Sequence, residues 1–152
     1  MTTFTKASEI AEYLTTLMKQ IKIADGYHTD IGLQVFRGRR KVDDDMVPCG
    51  VIIEGDDRPG DNISREEIKI EQSYVLGGYV PCDADQPNDA AHLLLKDLKR
   101  VVFGNGNKTN LGGRVRSVSY EGRDIGPRAD GKAIVMAVIF IDVTFAETLA
   151  DA

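Results

Sequence analysis

The sequence predicts an α+β domain in which a mostly antiparallel sheet packs with two helices, in the chain order α-β-β-β-α-β-β. Three observations carry that reading. Two stretches, one near the amino terminus and one in mid-chain, repeat apolar residues at helical spacing. The remaining apolar runs are short and alternate or are rich in β-branched residues. Charged turns containing glycine separate them. At 152 residues the chain has the length of one domain with a single core, without linkers or internal repeats.

The first helix is predicted over residues 7–23. Ile10, Tyr13, Leu14, Leu17, Met18 and Ile21 fall on one face. Thr5 or Ser8 can cap its start, Glu9 and Glu12 suit the first turn, and Asp25-Gly26 ends it. Three strands follow, over residues 31–37, 47–54 and 66–80. In the third, Ile68, Ile70, Gln72, Tyr74 and Leu76 share one face while Lys69, Glu71 and Ser73 take the other. Gly77-Gly78 near its end marks a bulge or a close backbone approach.

A second helix begins at Pro87, with Asp85 or Gln86 near the cap. It carries Leu94, Leu95, Leu98, Val101 and Val102 to Phe103 before Gly104 closes it. Two strands complete the sheet, residues 114–120 and 132–147, joined by a polar loop over 121–131. The last strand is apolar on both faces from Ala133 to Ile141. It is therefore expected inside the sheet, covered on each side, with a subunit contact as one source of cover.

Charge is concentrated between the first and third strands. The basic run Arg37, Arg39, Arg40 and Lys41 precedes the acidic triplet Asp43, Asp44 and Asp45. A second acidic stretch holds Glu54, Asp56, Asp57 and Asp61. Two charged loops on rigid strands offer a partner both signs of charge. The formal net charge of −5 argues against a domain held to nucleic acid by phosphate contacts. No apolar run approaches the roughly 20 residues of a membrane span, and residues 1–6 lack a signal-peptide core, so a cytosolic product is expected. The cysteines sit in matching tripeptides, Val47-Pro48-Cys49 and Val80-Pro81-Cys82. If residues 55–66 close a hairpin, Cys49 lies opposite about Gln72 and far from Cys82, which disfavours a disulfide.

Catalytic constellations are not predicted. His28 sits in a turn and His92 beside leucines, without a serine or cysteine arranged as a nucleophile. Gly104-Asn105-Gly106-Asn107 follows a helix and leads to a strand, the reverse of a phosphate loop. The acidic stretches lack the ligand spacing of a calcium loop. No catalytic residue, cofactor or metal is expected.

The segment Asp25-Gly26-Tyr27-His28-Thr29-Asp30-Ile31-Gly32 and the strand end Ile52-Ile53-Glu54-Gly55-Asp56, in this element order and chain length, resemble the tail-terminator proteins of long-tailed bacteriophages. The resemblance spans nearly the whole chain, residues 1–152 as one domain. It implies a non-enzymatic subunit of a hexameric ring that caps the tail tube, stops its polymerisation and presents its other face to the head connector. DNA would pass through the ring without specific binding, and no membrane would be involved. The protein would reside in the virion tail, and in the host cytoplasm during assembly.

The residue assignments come from the loops rather than from the resemblance. Arg37, Arg39, Arg40, Lys41, Asp43, Asp44 and Asp45 are expected to face a partner, with Arg114, Arg116, Arg123 and Arg128 as a positive complement. Glu54, Asp56, Asp57 and Asp61 are expected to line the channel; the alternative is that they lie on an outer face and bind a basic partner, to which the arginines are the complement. The competing readings are another neck, minor tail or head-completion protein, and a small enzyme using His28 with Asp30.

Overall fold

The computed structural model describes residues 5–38, 42–104, 111, 113–126 and 133–151. Helices α1 (Lys6–Met18) and α2 (Pro87–Phe103) accompany five strands: β1 (Val35–Arg37), β2 (Cys49–Asn62), β3 (Glu67–Pro81), β4 (Ser117–Ile125) and β5 (Ile134–Thr148). The sheet order is β1-β2-β3-β5-β4. All pairs are antiparallel except β1 with β2, so the sheet is mixed. The predicted element order and the α+β class are both present.

Helix α1 starts where the Thr5 hydroxyl accepts the Ser8 amide at 3.3 Å. It ends at Met18 rather than at residue 23. Beyond Met18 the chain turns so that the Ile21 carbonyl accepts the Gly32 amide at 2.8 Å. Ile21 keeps its place in the core despite leaving the helix. Asp25-Gly26 closes a one-turn segment, Ile23–Asp25, with Gly26 at φ 92°. The predicted first strand likewise begins as a single turn, Ile31–Leu33, turns extended at Gln34 and pairs as a strand from Val35.

Strand β2 is longer than its apolar pattern indicates. The acidic stretch Glu54 to Asp61, read from sequence as a loop, is strand paired with β3. Register shifts fall between Glu54 and Asp57 and between Pro59 and Asn62. Pro59 is tolerated because β1 pairs only with Gly50, Val51 and Ile52, so that among the described residues the rest of the outer side of β2 has no strand partner. The turn is confined to residues 63–66, where the Ile63 and Ser64 amides both reach the Glu67 carbonyl. Cys49 is therefore opposite Tyr79, not Gln72. No disulfide joins Cys49 to Cys82. What separates the thiols is the sheet itself: Cys82 packs against the helix-side core and Cys49 belongs to the other face.

Strand β4 covers Ser117–Ile125 rather than 114–120. It runs into the predicted polar loop through a bulge at Gly122, where φ is 124°. Residues 127–131 of that loop lie outside the described residues. Strand β5 lies inside the sheet between β3 and β4, as its apolar run predicts.

Side chains opposite one another across antiparallel strands point to the same face. One set of rows, Ile52–Leu76–Ile139, Tyr74–Ile141 and Gln72–Val143, faces the helices. Its apolar members are fully buried with Ile10, Leu14, Leu94 and Leu98 in a continuous core. The glycine pair at the end of β3 is a close approach rather than a bulge, since the β3–β5 register runs through it unbroken. Ile31 Cγ2 would stand 3.1 Å from a side chain on Gly78, and Val138 occupies the space above Gly77.

Candidate interaction surface

Among the described residues, the expectation that β5 is covered on both faces is met only in part: Val138 on the second face is buried, Met136 and Phe140 are not. Helix contacts account for one face only. The alternate rows are Cys49–Tyr79–Met136, Val51–Gly77–Val138 and Ile53–Val75–Phe140, all pointing away from the helices. Towards β2 this face is closed, with Cys49 and Val51 buried. Further along it is partly open: Ile53, Val75, Tyr79 and Met136 are half-buried, and Phe140 is 37% exposed. A row of three large apolar side chains across the middle of a sheet is the kind of surface that a protein partner covers.

Beyond that row the same face becomes polar. Arg58 reaches Asp142 Oδ2 at 2.8 Å and Ser73 Oγ at 3.2 Å, and the Ser73 hydroxyl donates to Asp142 Oδ1 at 2.7 Å. Glu71, opposite Arg58 in register, adds a 3.7 Å ion pair. Three strands are thus tied by one guanidinium. Sequence reading missed this group because Arg58 and Asp142 are 84 residues apart and meet only through strand register.

The sequence-derived interface residues divide among several places. Arg37 lies between Glu12 on α1 (3.8 Å) and Glu54 on β2 (3.5 Å), joining one member of the basic run to one of the acids assigned to a channel. Asp43, Asp44 and Asp45 are exposed before β2, and Asp56, Asp57 and Asp61 are exposed along its outer half. At the opposite sheet edge Arg116 and Arg123 are exposed, while Arg114 lies over the Tyr13 ring at 4.1 Å. Arg39, Arg40, Lys41 and Arg128 lie outside the described residues. The two edges therefore differ in charge: acids dominate along β2, and three arginines stand in or before β4 beside Glu121 and Asp124.

The turn motif from Asp25 to Gly32 has a structural explanation at nearly every position. Asp97 on α2 is fully buried and accepts the His28 amide at 3.0 Å, the Thr29 amide at 2.8 Å and the Thr29 hydroxyl at 2.7 Å. These charge-assisted bonds make its burial tolerable. Arg100, one turn later, donates to the Gly26 carbonyl at 2.8 Å and covers the Tyr27 ring at 4.3 Å. Asp30 Oδ1 accepts the Ile23 amide at 2.8 Å. The one sequence signal for Asp97 was an acid on the apolar side of a helix, between Leu94 and Val101.

Tyr74 is fully buried below the Glu54 row, and its hydroxyl has no hydrogen-bond partner among the described residues. Burial, reinforced by the charge of Glu54 and opposed by Arg37, raises its pKa well above the ordinary value of about 10. The unfolded chain therefore loses this proton first as pH rises. The associated stability is complete below about pH 10 and falls as pH climbs towards the folded value. Tyr74→Phe is expected to raise stability by about 1 kcal/mol and to flatten the alkaline decline. Urea titrations at pH 8 and pH 10.5 measure both; an unchanged alkaline slope in the variant would contradict the assignment.

Among the described residues, no group of three or more histidine, cysteine or acidic side chains is arranged to hold a metal ion. No helix among the described residues is long and apolar enough to cross a membrane. No protein-family model matches the chain, and no curated protein matches it either.

Proposed function

We propose that the protein is a structural subunit of a ring that terminates a phage tail tube and forms the tail's head-binding surface. The observation that carries this reading is the half-open sheet face with Ile53, Val75 and Phe140 in one row. A subunit contact or the tube would complete the core that two helices leave one-sided. The unlike edges of the sheet add support, because a head-to-tail contact between different surfaces closes into a ring when its rotation permits. The reading is non-enzymatic, with Asp30 and the His28 backbone engaged in holding the turn together. Its partners are further copies of the chain, the tube protein and the head connector.

Negative-stain electron microscopy of the purified protein, with and without tail tubes, tests the ring directly. Closed rings are expected, and Phe140→Glu should shift light scattering towards monomer while leaving the circular dichroism spectrum intact. Wild-type protein that remains monomeric even with tubes present would end the ring reading. The channel is expected to be acidic through Asp56, Asp57 and Asp61, so assembled rings should pass through a DNA column at low salt. Tight, salt-sensitive retention would place cations along the DNA path instead.

A further inference from the structure

A groove of about 320 Å³ lies at the end of the sheet where α2 begins, far from the Arg58 network. Its lining is mostly apolar, with Ile23, Pro48, Val80, Pro81, Ala90 and Leu93, and the turn residues His28, Thr29 and Asp30 complete it. Ile23 is 57% exposed and Leu93 43%, so two large side chains stand open to solvent at its mouth. A second depression shares Pro81, Ala90 and Leu93 with it and reaches Asp83 and Asp89, while Asp30 lines the first. No lysine or arginine lines either part. None of the three aspartates makes an ion pair among the described residues.

An apolar floor with an acidic rim suits one kind of side chain particularly well. The stems of arginine and lysine are apolar, and their charged heads seek carboxylates, so such residues can lie along the floor and end at the rim. Nucleic acid and acidic peptides are repelled by the same rim. This chain contains one dense basic run, Arg37, Arg39, Arg40 and Lys41. Arg37 is already held by Glu12 and Glu54 of its own subunit. We infer that the groove binds the basic segment 39–41 of a second copy of this chain. The contact joins unlike surfaces, one donor and one acceptor on each subunit, and so propagates head to tail. It rests on the ring reading above and specifies which surfaces meet.

Charge reversal in the full-length protein tests the pairing. A groove variant, Asp83→Lys with Asp89→Lys, should lose self-association by about tenfold or more, as should a segment variant, Arg39→Glu, Arg40→Glu and Lys41→Glu. An equimolar mixture of the two should assemble again, because each reversed surface then meets its opposite on the other variant. Leu93→Lys, at an exposed helix position, provides a groove variant that repels the basic segment and leaves Asp83 and its bond to the Asp85 amide untouched. Thermal melts confirm that each variant is folded. Assembly of wild type that none of these variants weakens would overturn the groove contact and leave the ring standing. Loss in both variants without rescue on mixing would also overturn it. A wild type that is monomeric at every concentration would overturn the ring and the contact together.

Discussion

Replacing Asp97 with alanine is expected to lower stability by about 3–4 kcal/mol, the largest effect of any single polar change in this protein. Three donors lose their acceptor at once: the amides of His28 and Thr29 and the Thr29 hydroxyl. Thr29 is only 8% exposed, so water cannot readily replace the carboxylate there. For a chain of this length the loss corresponds to a fall of roughly 10 °C in Tm. Asp97→Asn retains one acceptor oxygen but turns an NH2 group towards donors, and about half the loss is expected. Denaturant melts of the two variants measure the series. An alanine variant within about 0.5 kcal/mol of wild type would show that the turn does not depend on α2 for its stability.

Gly32→Ala is expected to cost about 2–3 kcal/mol, near the upper end for overpacking. The added methyl would fall 2.6 Å from the Ile21 carbonyl oxygen, 2.7 Å from that of Lys19 and 2.8 Å from that of Met18. All three are backbone atoms at the end of α1, and the Gly32 amide is itself bonded to the Ile21 carbonyl, so no flexible side chain can yield. Gly26 provides the contrast. Its requirement is the positive φ of 92°, and a methyl group there would meet only the Arg100 guanidinium at 3.9 Å. Gly26→Asn should therefore be tolerated within about 1 kcal/mol, whereas Gly32→Asn should behave no better than alanine. Equal tolerance at the two positions would show that the carbonyl cluster relaxes easily.

Both predictions concern the turn motif that carries the resemblance to tail-terminator proteins. Its residues turn out to secure the path between α1 and β1 against α2. The proposed function rests on other surfaces, the half-open sheet face and the two unlike edges.

The sequence by itself determined the α+β class, the order of the elements, the alternation along β3, the start and end of α2, and the interior position of β5. Each of these follows from hydrophobic period and local turn chemistry, which act over a few residues and need no knowledge of the partner strand. Tertiary structure alone decided where β2 ends, because its acidic half has no apolar pattern and is extended only through pairing with β3. It decided that α1 stops at Met18, through the approach of Gly32, and that Asp97 is buried beneath residues 68 or 69 positions away. It decided which face of β5 the helices cover and left Phe140 on the other. Those outcomes depend on register and on contacts between distant segments, which local period does not encode.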